Sequence, residues 1–162
     1  MNNMIILSSE VIADLRSAAW LEQELHPELD RHRRHQMADI CESDNMDAVW
    51  RILAVGIAEL RFILLRILVP SLLPQTVNCL ETPDSWTFDV RYPLPSDSLT
   101  YLKEKIHEYL VALVMADRME IIMPVASDVW RDRADSVLAE LETFAATTRT
   151  DEQAVHRPLW PL

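Results

Sequence analysis

The sequence predicts a mainly α domain. It reads as a five-helix, bundle-like fold with a long central helix over about residues 46–69, one β-hairpin over about 76–92 and an extended C-terminal tail. Three observations lead there. Apolar residues make up 49% of the chain, which suits a packed core and not a disordered chain. A single glycine stands in 162 residues, whereas all-β folds draw on glycine for their turns. Apolar residues also recur at three- and four-residue spacing through several long segments. The length suits one domain, assigned to 1–148 with the hairpin inserted at 74–95, and 149–162 forms the tail.

Met4 to Leu7 is a short apolar lead-in, and Ser8 or Ser9 is the expected N-cap of the first helix, about Ser9 to Leu25. Pro27 suits the first turn of a second helix, about Pro27 to Glu42, whose narrow stripe of Leu29, Met37, Ile40 and Cys41 places it on the outside. Asp44 or Asn45 then caps the long helix. Its Val49, Leu53, Ile57, Leu60, Leu64 and Ile67 crowd one side, yet Val55, Phe62 and Leu65 fall among the charges opposite. A helix apolar over most of its circumference belongs inside a bundle or across a membrane. Glu59, Arg61 and Arg66 disfavour the membrane, because each charge at mid-bilayer costs about 2.5–3.5 kcal/mol on insertion scales. Gly56 between Ala54 and Ala58 marks a place where another helix can approach closely.

Pro70 and Pro74 end this helix. Thr76 to Leu80 reads as a weak strand and Trp86 to Tyr92 as a clearer one, with Trp86, Phe88, Val90 and Tyr92 alternating with polar residues. A lone hairpin is marginal in water, so its aromatic face must lie on helices or pair with a partner's edge. Ser96 or Asp97 caps a fourth helix, about Asp97 to Met123. Pro124 opens or bends into a fifth, with Ala126, Trp130, Ala134, Val137, Leu138, Leu141 and Phe144 inward. Thr147 to Leu162 reads as extended.

Composition excludes several classes of function. A net charge of −11 disfavours nucleic-acid binding, which needs a basic face. One glycine leaves no Gly-rich phosphate loop. Cys41 and Cys79 form neither a disulfide framework nor a CxxC pair and fit a reducing compartment. The N-terminus lacks the features of a signal peptide, so the expected location is cytoplasmic, with incorporation into a larger particle left open.

No nucleophile, acid–base or cofactor motif stands out, so the expectation is a non-enzyme without a cofactor. His32, His35 and Asp39, at i, i+3 and i+7, are the metal candidates. The plainer reading is a solvated polar face, since no second helix carries a matching histidine motif. Arg31 to His35 is the one dense basic patch of an acidic chain, suited to an acidic surface of a neighbouring subunit or to a phosphate. Asp117 falls on the apolar face of the fourth helix, where a carboxylate needs either a partner such as Arg51, Arg61 or Arg66 or local exposure to water. Trp86, Phe88 and Tyr92 of the hairpin and Trp160 of the tail are the interaction candidates, tryptophan being a favoured interface anchor.

The pattern HEYLVALVMADRMEIIMPVASDVWRDRADSVLAEL over 107–141 and the terminal HRPLWPL resemble small helical, prophage-encoded virion assembly proteins of Bacteroides-type bacteria, of the neck or head–tail adaptor kind. Tyr109, Asp117, Pro124, Ala126, Trp130 and Arg157 to Pro161 carry the resemblance. It covers about a third of the chain and transfers no site residue. It implies a ring-forming or tail-assembly subunit without catalysis, and hence a homo-oligomer or a protein partner. Two alternatives stand beside it: a metal- or ligand-binding helical enzyme using His32, His35 and Asp39, and an acidic regulatory protein that meets a basic partner.

Overall fold

The computed structural model describes residues 2–69, 82–91 and 93–155. Five α-helices and a two-stranded antiparallel sheet make up the described chain: β1 (Asn2–Leu7), α1 (Ser8–Leu25), α2 (Arg31–Ala38), α3 (Met46–Ile63), β2 (Ser85–Val90), α4 (Ser96–Ile122) and α5 (Pro124–Val155). Short 3-10 turns follow α2 at Asp39–Cys41, precede α3 at Ser43–Asn45 and extend it at Leu64–Arg66.

The expected hairpin strand is present as β2, and its partner is the N-terminal β1, with Met4 opposite Phe88 and Ile6 opposite Trp86. The weak strand expected at Thr76 to Leu80 lies outside the described residues. Along β1, Met4 and Ile6 point inward while Ile5 and Leu7 point out. All four are apolar, so the period-two signal that marks a strand is absent from the sequence. Ser8 is not a helix cap as expected. Its backbone N–H and its hydroxyl both donate to the Asp84 carbonyl, at 3.0 and 2.9 Å, and so tie the start of α1 to the start of β2. On the other edge of β2 the chain leaving α3 adds a single bridge, Leu68 opposite Val90, with Val69 N–H donating to the Asp89 carbonyl and Arg91 N–H to the Ile67 carbonyl.

α2 begins later than expected. Asp30 caps it, accepting from the Arg33 N–H at 2.8 Å, and Pro27 stays in the preceding turn. Asn45 is not the side-chain cap of α3 either: its Nδ2 donates to the Asp39 carbonyl at 2.8 Å, and its Oδ1 accepts from Arg118 on α4.

α3 is present where expected, but α4 is the helix enclosed on most sides. Leu102, Ile106, Leu110, Ala112, Val114, Met115 and Met119 of α4 are fully buried. α3, α5, α1, α2 and β1 all pack against it. α3 buries one side, through Val49, Leu53, Gly56, Ile57 and Leu60, and leaves Val55, Phe62 and the following Leu65 exposed. The bundle is therefore built around α4, with β2 closing one end. There Trp86 stacks at a tilt on Trp50, ring centroids 6.2 Å apart, and Arg61 lies over the Phe88 ring at 5.7 Å.

α4 and α5 form an antiparallel helical hairpin with one residue, Met123, between them. Small buried residues, Ala112 and Ala116 on α4 and Ala126, Ala134 and Ala145 on α5, allow close approach. The buried Ser127 hydroxyl donates to the Ala116 carbonyl at 2.7 Å across the turn. α5 continues to Val155, so 149–155 is helical and not part of an extended tail.

Gly56 makes the close approach its sequence context predicts, toward α4. A Cβ there would stand 2.7 Å from Leu113 Cδ2 and 3.1 Å from Leu110 Cδ2. Alanine gains about 1 kcal/mol of helix propensity, and the flexible end of the half-buried Leu113 gives way at a similar cost. Gly56→Ala is therefore expected to leave stability within about 1 kcal/mol of the parent. Gly56→Val places methyls against the fully buried Leu110 and destabilises by about 1–3 kcal/mol. Urea unfolding of both variants measures the difference. Equal stability of the two would show that the α3–α4 contact is loose.

Candidate functional site

The metal candidates separate in the structure. α2 ends at Ala38, and Asp39 opens a tighter 3-10 turn, which breaks the i, i+3, i+7 alignment assumed for a continuous helix. His32, His35 and Asp39 are all exposed, and the Asp39 carbonyl accepts from Asn45. Among the described residues no group of three or more His, Cys, Asp or Glu side chains is placed to hold a metal ion. The Arg31 to His35 patch is on the surface, with Arg33 paired to Asp30 at 3.8 Å and Arg34 to Glu24 at 3.9 Å.

Asp117 is exposed, which is the second of the two readings open to a carboxylate at that place. It lies near the end of α4, and its neighbour Arg118 makes the contact there, donating to Asn45 Oδ1 at 3.1 Å. Trp86 and Phe88 are also corrected as interaction candidates: both are buried, facing α3 through Trp50 and Arg61. Tyr92 and Trp160 lie outside the described residues. No helix among the described residues is long and apolar enough to cross a membrane.

Among the described residues, exposed apolar side chains occur at the α4–α5 turn, at Ile121, Val125 and Val129, and on two further surfaces. The first is the outer side of α3. Val55, Ala58 and Phe62 of α3 are exposed at three- and four-residue spacing, Val55 at 65% and Phe62 at 74%, and Leu65 in the 3-10 turn that extends the helix is exposed at 43%. The same spacing makes the contact seam of a coiled coil. The residues bordering the seam turn inward: Glu59 accepts from the Tyr109 hydroxyl at 2.6 Å, and Arg61 reaches Phe88. Burial first, and then the Glu59 carboxylate, push the Tyr109 hydroxyl far above its ordinary value, so it remains a donor at any physiological pH. Arg51 and Arg66 are exposed near the two ends of the seam.

The second surface is an open groove of about 1250 Å³ between α1 and α5, floored by α4. α1 runs parallel to α4. Glu10 pairs with Lys103 at 3.7 Å and Asp14 with His107 at 2.7 Å, each partner one helical turn further along. Across the groove the Trp130 indole of α5 donates to Glu22 of α1 at 2.8 Å. Ala18, Leu21, Leu25, Val111 and Trp130 supply its apolar lining. Its charges are mainly acidic: Glu10, Asp14, Glu22, Glu104 and Glu108 against Lys103 and Arg133. Helical spacing places Leu25 inward with Val11, Ile12, Leu15 and Ala19, but α1 makes its core contacts through the other four and leaves Leu25 exposed at 68%, beside Leu21 at 53%.

A charge network joins α4 to α5 beside the groove. Lys105 Nζ lies 3.1 Å from Glu108 and 2.9 Å from Glu140, Arg133 donates to Glu108 at 3.1 Å, and the Tyr101 hydroxyl donates to Glu140 at 3.1 Å. Partial burial pushes the Glu108 carboxyl up, but the hydrogen bonds from Lys105 and Arg133 outweigh it and hold the group below its ordinary 4.5. Lys105, and then Tyr101, hold Glu140 below 4.5 as well. Both folded values are depressed, so the stabilisation is present above about pH 4.5 and is lost as pH falls through the folded values. Lys105→Met brings both groups back toward 4.5. The variant is expected to lose less stability than the parent when urea unfolding at about pH 3 is compared with pH 7. Identical losses would mean that the network is decorative.

Compared with family models, with curated proteins and with solved structures, the chain finds no match, so its function has to be read from these surfaces.

Proposed function

We propose that the chain is a non-enzymatic assembly subunit that works through protein–protein contacts, with the outer side of α3 as the contact face. The carrying observation is the exposed Val55–Ala58–Phe62–Leu65 seam. Scattered exposed apolar residues are ordinary, but a run of them along one helix marks an interaction surface. The described residues share one contiguous core, and none of the four seam residues belongs to it. Burying a Phe or Val side chain contributes about 1.5–3 kcal/mol, which a partner helix recovers when it covers the seam. The virion-assembly reading rests on the resemblance over 107–141 and at the terminal HRPLWPL, and belongs to the same class of function.

A photoreactive phenylalanine analogue at position 62, in the full chain made by cells, tests this directly. The expected result is a strong cross-linked protein adduct at 62, suppressed by Val55→Glu in the same chain and absent when the analogue replaces exposed Glu142 on α5. No more adduct at 62 than at 142 would overturn the assignment.

A further inference from the structure

We propose that the α1–α4–α5 groove receives the α3 seam of a second copy of the same chain, in a head-to-tail contact. The inference rests on the reading of α3 as a contact face and adds the surface that receives it. Three features match. The first is length: Arg51 to Arg66, which is α3 to Ile63 and then the 3-10 turn, and the groove wall from Glu10 to Leu25 each cover fifteen residue steps, about 24 and 22 Å at 1.5 Å per residue in an α-helix and 2.0 Å in a 3-10 turn. The second is apolar chemistry, with Val55, Phe62 and Leu65 to meet Leu21, Leu25 and Val111. The third is charge. The seam has Arg51 and Arg66 exposed near its ends, and neither makes an ion pair with another described residue. The groove presents an excess of carboxylates, of which Glu104 on its floor is exposed and likewise has no ion-pair partner among the described residues.

The placement of the two surfaces decides the kind of assembly. α3 meets α4 at Tyr109, Leu110 and Leu113, where Gly56 approaches. Glu104, Glu108 and Val111, on the groove side, project from the opposite side of α4 at about 100° per residue. Each copy therefore carries the seam on one side and the groove on the other. A contact between two different surfaces is not closed by a single pair. It continues into a ring, or into a filament if the rotation does not close. An isologous dimer through two α3 seams would leave the groove empty and is the competing arrangement.

Mixing variants separates these outcomes. Phe62→Glu disables the seam and Leu21→Lys with Leu25→Lys disables the groove, all at exposed positions. The wild-type chain is expected to show masses above dimer that grow with concentration in native mass spectrometry and sedimentation. Each variant alone is expected to be a monomer, with association weakened at least about tenfold, equivalent to about 1.4 kcal/mol. The mixture is expected to form a one-to-one dimer that grows no further, because only one intact seam and one intact groove remain to pair. Circular dichroism melts confirm that each variant is folded. If either is not, Arg51→Glu with Arg66→Glu on one copy and Glu104→Arg on the other replace them, and the mixed pair then associates more tightly than either variant does with the wild type. Undiminished association of the groove variant alongside a monomeric Phe62→Glu overturns the head-to-tail contact while leaving α3 as the contact face. A mixture that stays monomeric overturns it too, as does a wild-type chain that stays monomeric at high concentration. The position-62 cross-link then decides the α3 reading separately.

Discussion

The close packing of α4 against its neighbours is the constraint on which the rest of the structure depends. A helix can be covered on nearly every side only if its neighbours come close, and they do so through small residues: Gly56 on α3, Ala112 and Ala116 on α4 itself, Ala126 and Ala134 on α5. Large side chains, Leu102, Ile106 and Leu110, fill the remaining space. Covering α4 in this way frees α3 from being covered on all sides. The apolar character of α3 beyond its core face then becomes an outward seam, and the same packing leaves the groove between α1 and α5 with α4 as its floor.

Much of the helical layout was legible in the sequence because each helix carries enough apolar residues at three- and four-residue spacing to be seen alone. Pro124 at the start of α5 and the sole glycine at the α3–α4 contact were read from local chemistry and have the expected places. What was not legible depended on partners far along the chain. β1 has no alternating pattern, and its pairing with β2 crosses about eighty residues. Ser8 looked like a cap and binds Asp84 instead. Asp30 outcompeted Pro27 as the start of α2, since a side-chain acceptor satisfies an N–H that proline cannot.

The position of α4 was hidden for a related reason. Its Lys103, Lys105, His107 and Glu108 are polar, and nothing in their spacing marks them as helix contacts. In the structure they are bridges: Lys103 and His107 reach α1, and Lys105 and Glu108 reach α5. Exposed ion pairs of this kind add little individually, but here they align helices whose apolar contacts supply the stability. Conversely, α3 looked central because Val55, Phe62 and Leu65 are apolar, and only the exposure of those side chains shows that they face outward. The candidate site was therefore legible as composition and illegible as place. The aromatic residues Trp86 and Phe88 form part of the core, and the exposed apolar surface falls to Val55, Phe62 and Leu65, whose sequence context points to the bundle interior.

If α4 organises the bundle and α3 is its half-covered flank, native-state hydrogen exchange distinguishes the two most directly. Amides of α4 from Leu102 to Met119 are expected to exchange only with global unfolding, following its full denaturant dependence. Those of α3, measured at low protein concentration, are expected to exchange through a smaller opening at lower free energy. The reverse order, with Val49 to Leu60 the last to exchange and α4 opening first, would contradict the account.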